Sequence, residues 1–228
     1  MAQIEPLYDK KCKCVMCEHL FTTKKVRSRF VKVLSFDTDF APNYAEGFEN
    51  PNLYYVNVCP NCGYSFTDEY SSYFPPGAKQ IINDKISSQW VPRDYSLERS
   101  VQEALDTYKL GIYCSILKKE KHIVSAGLYI RLAWLYRSLD NHDQEMRFLK
   151  LALKEYTESY STGDYKGTQV SELRLMYLIA DLSRIIGNTQ DAVRFFSKVI
   201  EKQRMSVEPQ IILMAKDRWQ EMRDKQKV

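Results

Sequence analysis

From Ser96 onward, apolar residues recur at helical spacing along the 228-residue chain. Val101, Leu105, Tyr108, Ile112 and Ile116 form one stripe, and Leu128, Leu132, Leu135 and Leu139 a second. Met146, Leu149, Leu153, Tyr156 and Tyr160 form a third, and Leu175, Leu178, Leu182 and Ile185 a fourth. A short stripe follows at Ala192, Phe196, Val199 and Ile200, and a last one at Ile211, Ala215, Trp219 and Met222. Each stripe is one face of an amphipathic helix. The punctuation agrees. Asn141 with Gln144 reads as a helix start, Gly187-Asn188 as a stop and restart, and Pro209 as a first helical position. The expectation is about six helices in antiparallel pairs.

The first 75 residues or so have a different texture, rich in Cys, aromatics and turn residues. Arg29–Phe36 and Asn52–Val58 are β-branched and aromatic, which suits short strands. Ala41-Pro42 and Asn50-Pro51 mark turns, and Tyr73-Phe-Pro-Pro-Gly77 is a break. Residues 79–88 allow a short connecting helix. The fold class expected is α+β: a small β domain over residues 1–75, a connecting segment over 76–95, and an all-α helical-hairpin stack over 96–228.

Five of the six cysteines lie in the first 62 residues. Cys14-Val-Met-Cys17 and Cys59-Pro-Asn-Cys62 are paired CxxC turns. Two intervening residues let both thiolates of one tight turn reach one metal, and two such turns complete a tetrahedral four-cysteine site with Zn–S bonds of about 2.3 Å. Gly63 follows the second turn, where a positive φ is often needed. The reading is one structural Zn2+ per chain, held by Cys14, Cys17, Cys59 and Cys62. Cys12 and His19 stand close enough in sequence to substitute at the first turn. A closed four-ligand site leaves no open position for substrate. Thiol redox chemistry is the rival reading, but a thioredoxin-type CxxC needs a βαβ setting, which is lacking here.

Charge modifies this only locally. Thirty-three Lys and Arg against 29 Asp and Glu give +4, too weak to imply nucleic acid. Residues 10–32, however, carry eight basic residues and one acid. That run either offsets the −2 of a zinc–tetrathiolate centre or faces a nucleic acid. Eleven aromatic rings lie between Phe36 and Phe74. Acids and no bases accompany them, which favours packing over base stacking. No phosphate-binding loop, dinucleotide fingerprint, HExxH or GxSxG is present, so a non-enzymatic protein is expected. No apolar run reaches the roughly 18–20 residues that span a membrane, and the N-terminus has no signal-peptide core. The expected location is cytoplasmic, where thiols stay reduced.

Tyr129-x-x-Leu132-Ala133-x-x-Tyr136, then Leu149-x-x-Ala152, resembles the tetratricopeptide repeat. A degenerate second copy begins at Met176-x-x-Ile179-Ala180 and closes with Gly187, Ala192 and Phe196. In that family the first helix of each repeat lines a concave groove. The resemblance therefore implies a groove bearing Ile130, Trp134 and Arg137 from one copy and Arg174, Tyr177, Asp181 and Arg184 from the next. Trp134, Arg137, Arg174, Tyr177 and Arg184 would suit an acidic or C-terminal segment of a protein or peptide partner. The plainer alternative makes Trp134 core and the arginines solvated.

Several short runs form an ordered set: Lys24-Lys-Val-Arg-Ser-Arg29, Asp37-Thr-Asp-Phe40, Asn50-Pro-Asn-Leu-Tyr54, Val58-Cys-Pro-Asn-Cys-Gly-Tyr64 and Arg131-Leu-Ala-Trp-Leu-Tyr-Arg137. Taken together they resemble the bacterial family named domain of unknown function 2225. That resemblance implies a zinc-ribbon-like head on a tetratricopeptide-like helical body, and no assigned activity.

Overall fold

In the computed structural model, residues 4–204 and 206–225 are described. Strand β1 (Leu7–Lys13) pairs antiparallel with β2 (Leu20–Val26), in a register running from Leu7 opposite Val26 to Lys13 opposite Leu20. The first CxxC turn is the tip of this hairpin. Strands β3 (Val33–Phe36) and β4 (Pro42–Tyr44) form a second antiparallel pair. Strands β5 (Asn57–Val58) and β6 (Ser65–Phe66) form a third, closed by the second CxxC turn. The two expected strands are thus shorter than their sequence runs. Residues 28–30 and 51–54 wind into single 3-10 turns instead. At the second of these the Asn50 side chain accepts from Asn52 N, and Pro51 presets φ.

Helix α1 (Ala78–Lys85) occupies the expected connecting region, and α2 (Val101–Lys118) begins the helical run. Ser100 and Glu103 form a complete capping box at the start of α2: Ser100 Oγ accepts from Glu103 N, and Ser100 N donates to Glu103 Oε2. Five more helices follow: α3 (His122–Arg137), α4 (His142–Thr162), α5 (Glu172–Ile185), α6 (Thr189–Glu201) and α7 (Pro209–Lys225). The class is α+β and mostly helical.

By internal contacts the chain divides into two compact units. One comprises the described residues up to Phe36 together with Pro42–Glu120. The other comprises Asp37–Ala41 and the described residues from Lys121 onward. Sequence texture places its boundaries earlier, near 75 and 95. The contact division groups α1 and α2 with the first unit because their apolar faces surround the cysteines. Ile82 and Ile86, from α1 and its C-terminal end, and Cys114 of α2 form one buried cluster with Cys14, Cys59, Cys62 and Tyr64.

In the second unit consecutive helices pack against one another. The short connections, residues 138–141 and 186–188, leave little alternative. Asn141, Ser171 and Asn188 each accept the amide three residues on, so α4, α5 and α6 start on side-chain caps. Ala126, Ala133, Ala152, Ala180, Ala192 and Ala215 are all fully buried. Small residues at the contacts let helix axes approach closely, which fixes the hairpins tightly. No described helix is long and apolar enough to cross a membrane.

Candidate metal centre and helical groove

The two CxxC turns share one backbone design. In the first, Cys14 N donates to His19 O (2.9 Å) and Glu18 N to Cys14 O (2.8 Å). In the second, Cys59 N donates to Tyr64 O (3.0 Å) and Gly63 N to Cys59 O (2.9 Å). The residue after each second cysteine is left-handed, with φ +62° at Glu18 and +72° at Gly63. Glycine adopts that conformation freely, whereas Glu18 holds it at a cost of about 1 kcal/mol.

These turns bring Cys14, Cys17, Cys59 and Cys62 together, with all four Sγ atoms within 4.8 Å of one another. Cys14 Sγ lies 3.7 Å from Cys62 Sγ, and Cys17 Sγ lies 3.7 Å from Cys59 Sγ. A regular tetrahedron with metal–sulfur bonds of about 2.3 Å has edges of about 3.8 Å. A disulfide would need about 2.05 Å. The cluster therefore has the size of a tetrathiolate metal site, and these four residues can hold a metal ion. Cys12 lies outside the cluster, its thiol donating to Asn57 Oδ1 at 3.9 Å. His19 is exposed and is likewise not among the clustered groups.

The proton balance fits a cation. Hydrogen bonds from Cys14 and Cys62 pull the Cys59 thiol far down. The same contacts, with Cys59 as partner to Cys14 and with Cys14 and Cys59 as partners to Cys62, push those two thiols up. With Cys14, Cys59 and Cys62 buried, further ionisation would stack like charges in a low dielectric. A divalent ion held by these four thiols would remove that conflict and displace the remaining protons. Asn61 Nδ2 reaches Cys17 Sγ at 3.5 Å, adding one donor to the sulfurs. Cys114 is a bystander. Burial raises its pKa to about 12, and its sulfur accepts from Ser65 N at 3.2 Å.

Two residues without a sequence signature support the centre. Trp90 donates from Nε1 to Pro60 O (2.9 Å), and its ring lies against Gly63. A Cβ on residue 63 would sit 2.4 Å from Trp90 Cε3. Gly63→Ala thus combines a clash with a left-handed backbone and should cost about 2–4 kcal/mol. A loss of urea-unfolding free energy below about 0.5 kcal/mol would contradict this.

Arg99, only 4% exposed, is the second. Its guanidinium donates to Tyr95 O through both Nε and Nη2, to Leu53 O and Val56 O through Nη1, and to Thr23 Oγ1 through Nη2. All five guanidinium donors are used. Thr23 lies on the hairpin of the first CxxC turn, and Val56 precedes the second.

The basic run is partly neutralised within its own unit. Lys10 pairs with Asp68 (2.5 Å), Lys13 with Glu18 (3.1 Å) and Lys24 with Asp9 (2.7 Å). Many of the aromatic rings pack on each other: Tyr64 stacks on Phe66, Tyr55 on Tyr108, and Phe21 meets Phe66 edge-on.

In the helical unit, Trp134, Arg137, Arg174, Tyr177 and Arg184 do come together, around residues 37–41 of the same chain. Arg137 donates from Nη1 to Asp37 Oδ2 (2.7 Å) and Asp39 Oδ1 (3.1 Å), and from Nη2 to Asp39 Oδ2 (2.7 Å). Trp134 Nε1 donates to Asp39 Oδ2 (3.0 Å). Tyr177 OH donates to Thr38 O (2.9 Å), and Arg184 Nη2 to Thr38 Oγ1 (3.0 Å). The Arg174 guanidinium lies 4.1 Å from the centre of the Phe40 ring, which also meets Tyr177 at 5.3 Å. Ile130 is core, and Asp181 is fully buried beneath Arg184. Burial opposes the charge on Arg137, but Asp39 and Glu145 outweigh it and raise its pKa above the ordinary value. Sequence spacing alone gives no sign that residues 37–41 meet these side chains, although Asp37-Thr-Asp-Phe40 is among the recognisable runs.

The fold is thus an α+β chain whose hairpins carry a mostly buried four-cysteine cluster that could hold a metal ion, followed by helical hairpins. The particular family follows from the sequence profile that matches residues 7–222: the chain belongs to the family described as "Uncharacterized protein conserved in bacteria (DUF2225)". Neither the curated proteins nor the solved structures yield a match.

Proposed function

We propose that this chain is a non-enzymatic, cytoplasmic interaction protein whose N-terminal unit is a zinc-ribbon-like fold stapled by one structural Zn2+. Its tetratricopeptide-like helical unit binds a segment of a protein partner. Soft thiolates in tetrahedral array suit zinc, and four ligands leave no position for a substrate. Reduced thiols of this kind belong in the cytosol. The observation that carries the binding role is the convergence of Trp134, Arg137, Arg174, Tyr177 and Arg184, from two helices, on one short acidic-aromatic segment. Arginine forks and aromatic faces in a groove are how helical repeats hold extended peptides. The paired lysines of the basic run weaken the nucleic-acid reading.

In-cell photo-crosslinking tests this. A photo-reactive residue at position 174, exposed on the rim, should yield a discrete crosslinked partner. The same residue at the exposed position 154 should not. Identical patterns from both sites, or none from 174, would sink the partner-binding role.

A further inference from the structure

We infer that the groove of α3 and α5 selects a segment of the type acid–hydroxyl–acid–aromatic, and that Asp37–Ala41 is a resident copy that an outside partner must displace. This rests on the partner-binding reading above and names the chemistry of the partner.

The segment is the tight connection between β3 and β4, closed by its own hydrogen bonds. Asp37 N donates to Ala41 O (2.8 Å), Phe40 N to Asp37 O (2.9 Å), and Ala41 N to Asp39 Oδ1 (3.3 Å). Phe40 is left-handed at φ +66°, a conformation that turns its ring toward Arg174 and Tyr177. Five residues thus form a closed turn whose shape depends on local hydrogen bonds, so another chain with the same residues can present it equally well.

Each position is read by a different group. Asp39 is 1% exposed and takes two bonds from Arg137 and one from Trp134. An amide there would remove the charge that the bidentate guanidinium is built to meet. Asp37 takes the second face of Arg137. The Thr38 hydroxyl accepts from Arg184 and neighbours the buried carboxyl of Asp181, whose Oδ2 has no hydrogen-bond partner. Its carbonyl is held by Tyr177. Phe40 fills the aromatic–guanidinium sandwich of Tyr177 and Arg174.

A resident copy tethered to its own site acts at a high effective concentration, of millimolar order. Free peptide therefore meets an occupied groove in the natural chain. Removing the competitor exposes the intrinsic affinity.

The probe is a fluorescein-labelled nonapeptide copying Ser35–Asn43, titrated into the full chain. Asp37→Asn, Asp39→Asn and Phe40→Ala together remove both carboxylates and the ring from the site, leave only the Thr38 contacts, and do not alter α3 or α5; this is the vacated chain. The vacated chain should bind the probe on the order of 100-fold more tightly than the natural one. Arg137→Gln in the vacated chain should abolish binding, and a probe carrying Asn in place of its second Asp should fail. No binding by a vacated chain of unchanged helicity, or equal binding of the Asn probe, overturns the inference. Should the vacated chain not fold, hydrogen exchange on the natural chain decides. Saturating probe should raise exchange at residues 37–41, and unchanged exchange there overturns the inference. A retained crosslink at position 174 with no probe binding removes this specificity alone. Loss of both removes the partner-binding reading as well.

Discussion

Cys62→Ser is expected to release the metal and unfold the N-terminal unit. Cys62 is 6% exposed and shares a single buried cluster with Cys14, Cys59, Tyr64, Ile82, Ile86 and Cys114, so the sulfurs are part of the core itself. Structural zinc contributes about 10–16 kcal/mol in isolated zinc-finger peptides. Even a fraction of that exceeds what an ordinary small unit has to spare. Native mass spectrometry should show one zinc in the natural chain and none in the variant. Trp90, packed on Gly63, should shift its emission to the red.

Acid should act in the same direction. Cys14 and Cys62 are pushed up when no metal is held, so loading the site expels protons. The loaded state binds fewer protons than the free one, and metal-linked stability is therefore present at higher pH and lost as pH falls. Loss of zinc with unshifted emission in Cys62→Ser would remove the structural role of the metal.

Arg99→Met should have the second largest effect, a loss of about 3–5 kcal/mol. The substitution keeps much of the apolar stem but strands the carbonyls of Leu53, Val56 and Tyr95 without donors. Each buried orphan costs about 1–3 kcal/mol. Burial lowers the Arg99 pKa and the nearby Glu103 carboxylate offsets this only in part, so hydrogen bonds carry the site. Because Val56 precedes the second CxxC hairpin and Thr23, a further acceptor, lies on the first, the variant should also hold zinc less tightly. A urea-unfolding difference under about 1 kcal/mol would show that water replaces the guanidinium.

Much of this was legible in the chain. Two CxxC turns have few meanings, and four thiolates need no neighbours to declare their chemistry. The helices were legible because their stripes and caps are local: Asn141 with Gln144, Asn188 with Asp191, Pro209 at a first position. Hairpin β1–β2 carries no such local signal. Leu7–Lys13 is mostly polar, and its strand state comes from pairing with Leu20–Val26. Arg99 and Trp90 were silent for another reason. A lone arginine or tryptophan acquires its role only from acceptors dozens of residues away. The gathering of Trp134, Arg137, Arg174, Tyr177 and Arg184 could be proposed from the repeat resemblance, but the segment they meet could not. Asp39 and Arg137 are separated by 98 positions, and no periodicity links them.

That separation has a consequence for how the protein is made. Asp37–Ala41 leaves the ribosome long before α3 starts at His122 and α5 at Glu172. By then all four cysteines are already synthesised, so metal capture can precede the helices. For the whole of that interval the acidic turn is exposed and unclaimed. Its final partners lie up to 146 residues downstream, a separation that places closure late and makes it slow. The newly made chain therefore passes through a stage in which Asp37–Ala41 has emerged before the α3 and α5 side chains that later hold it exist.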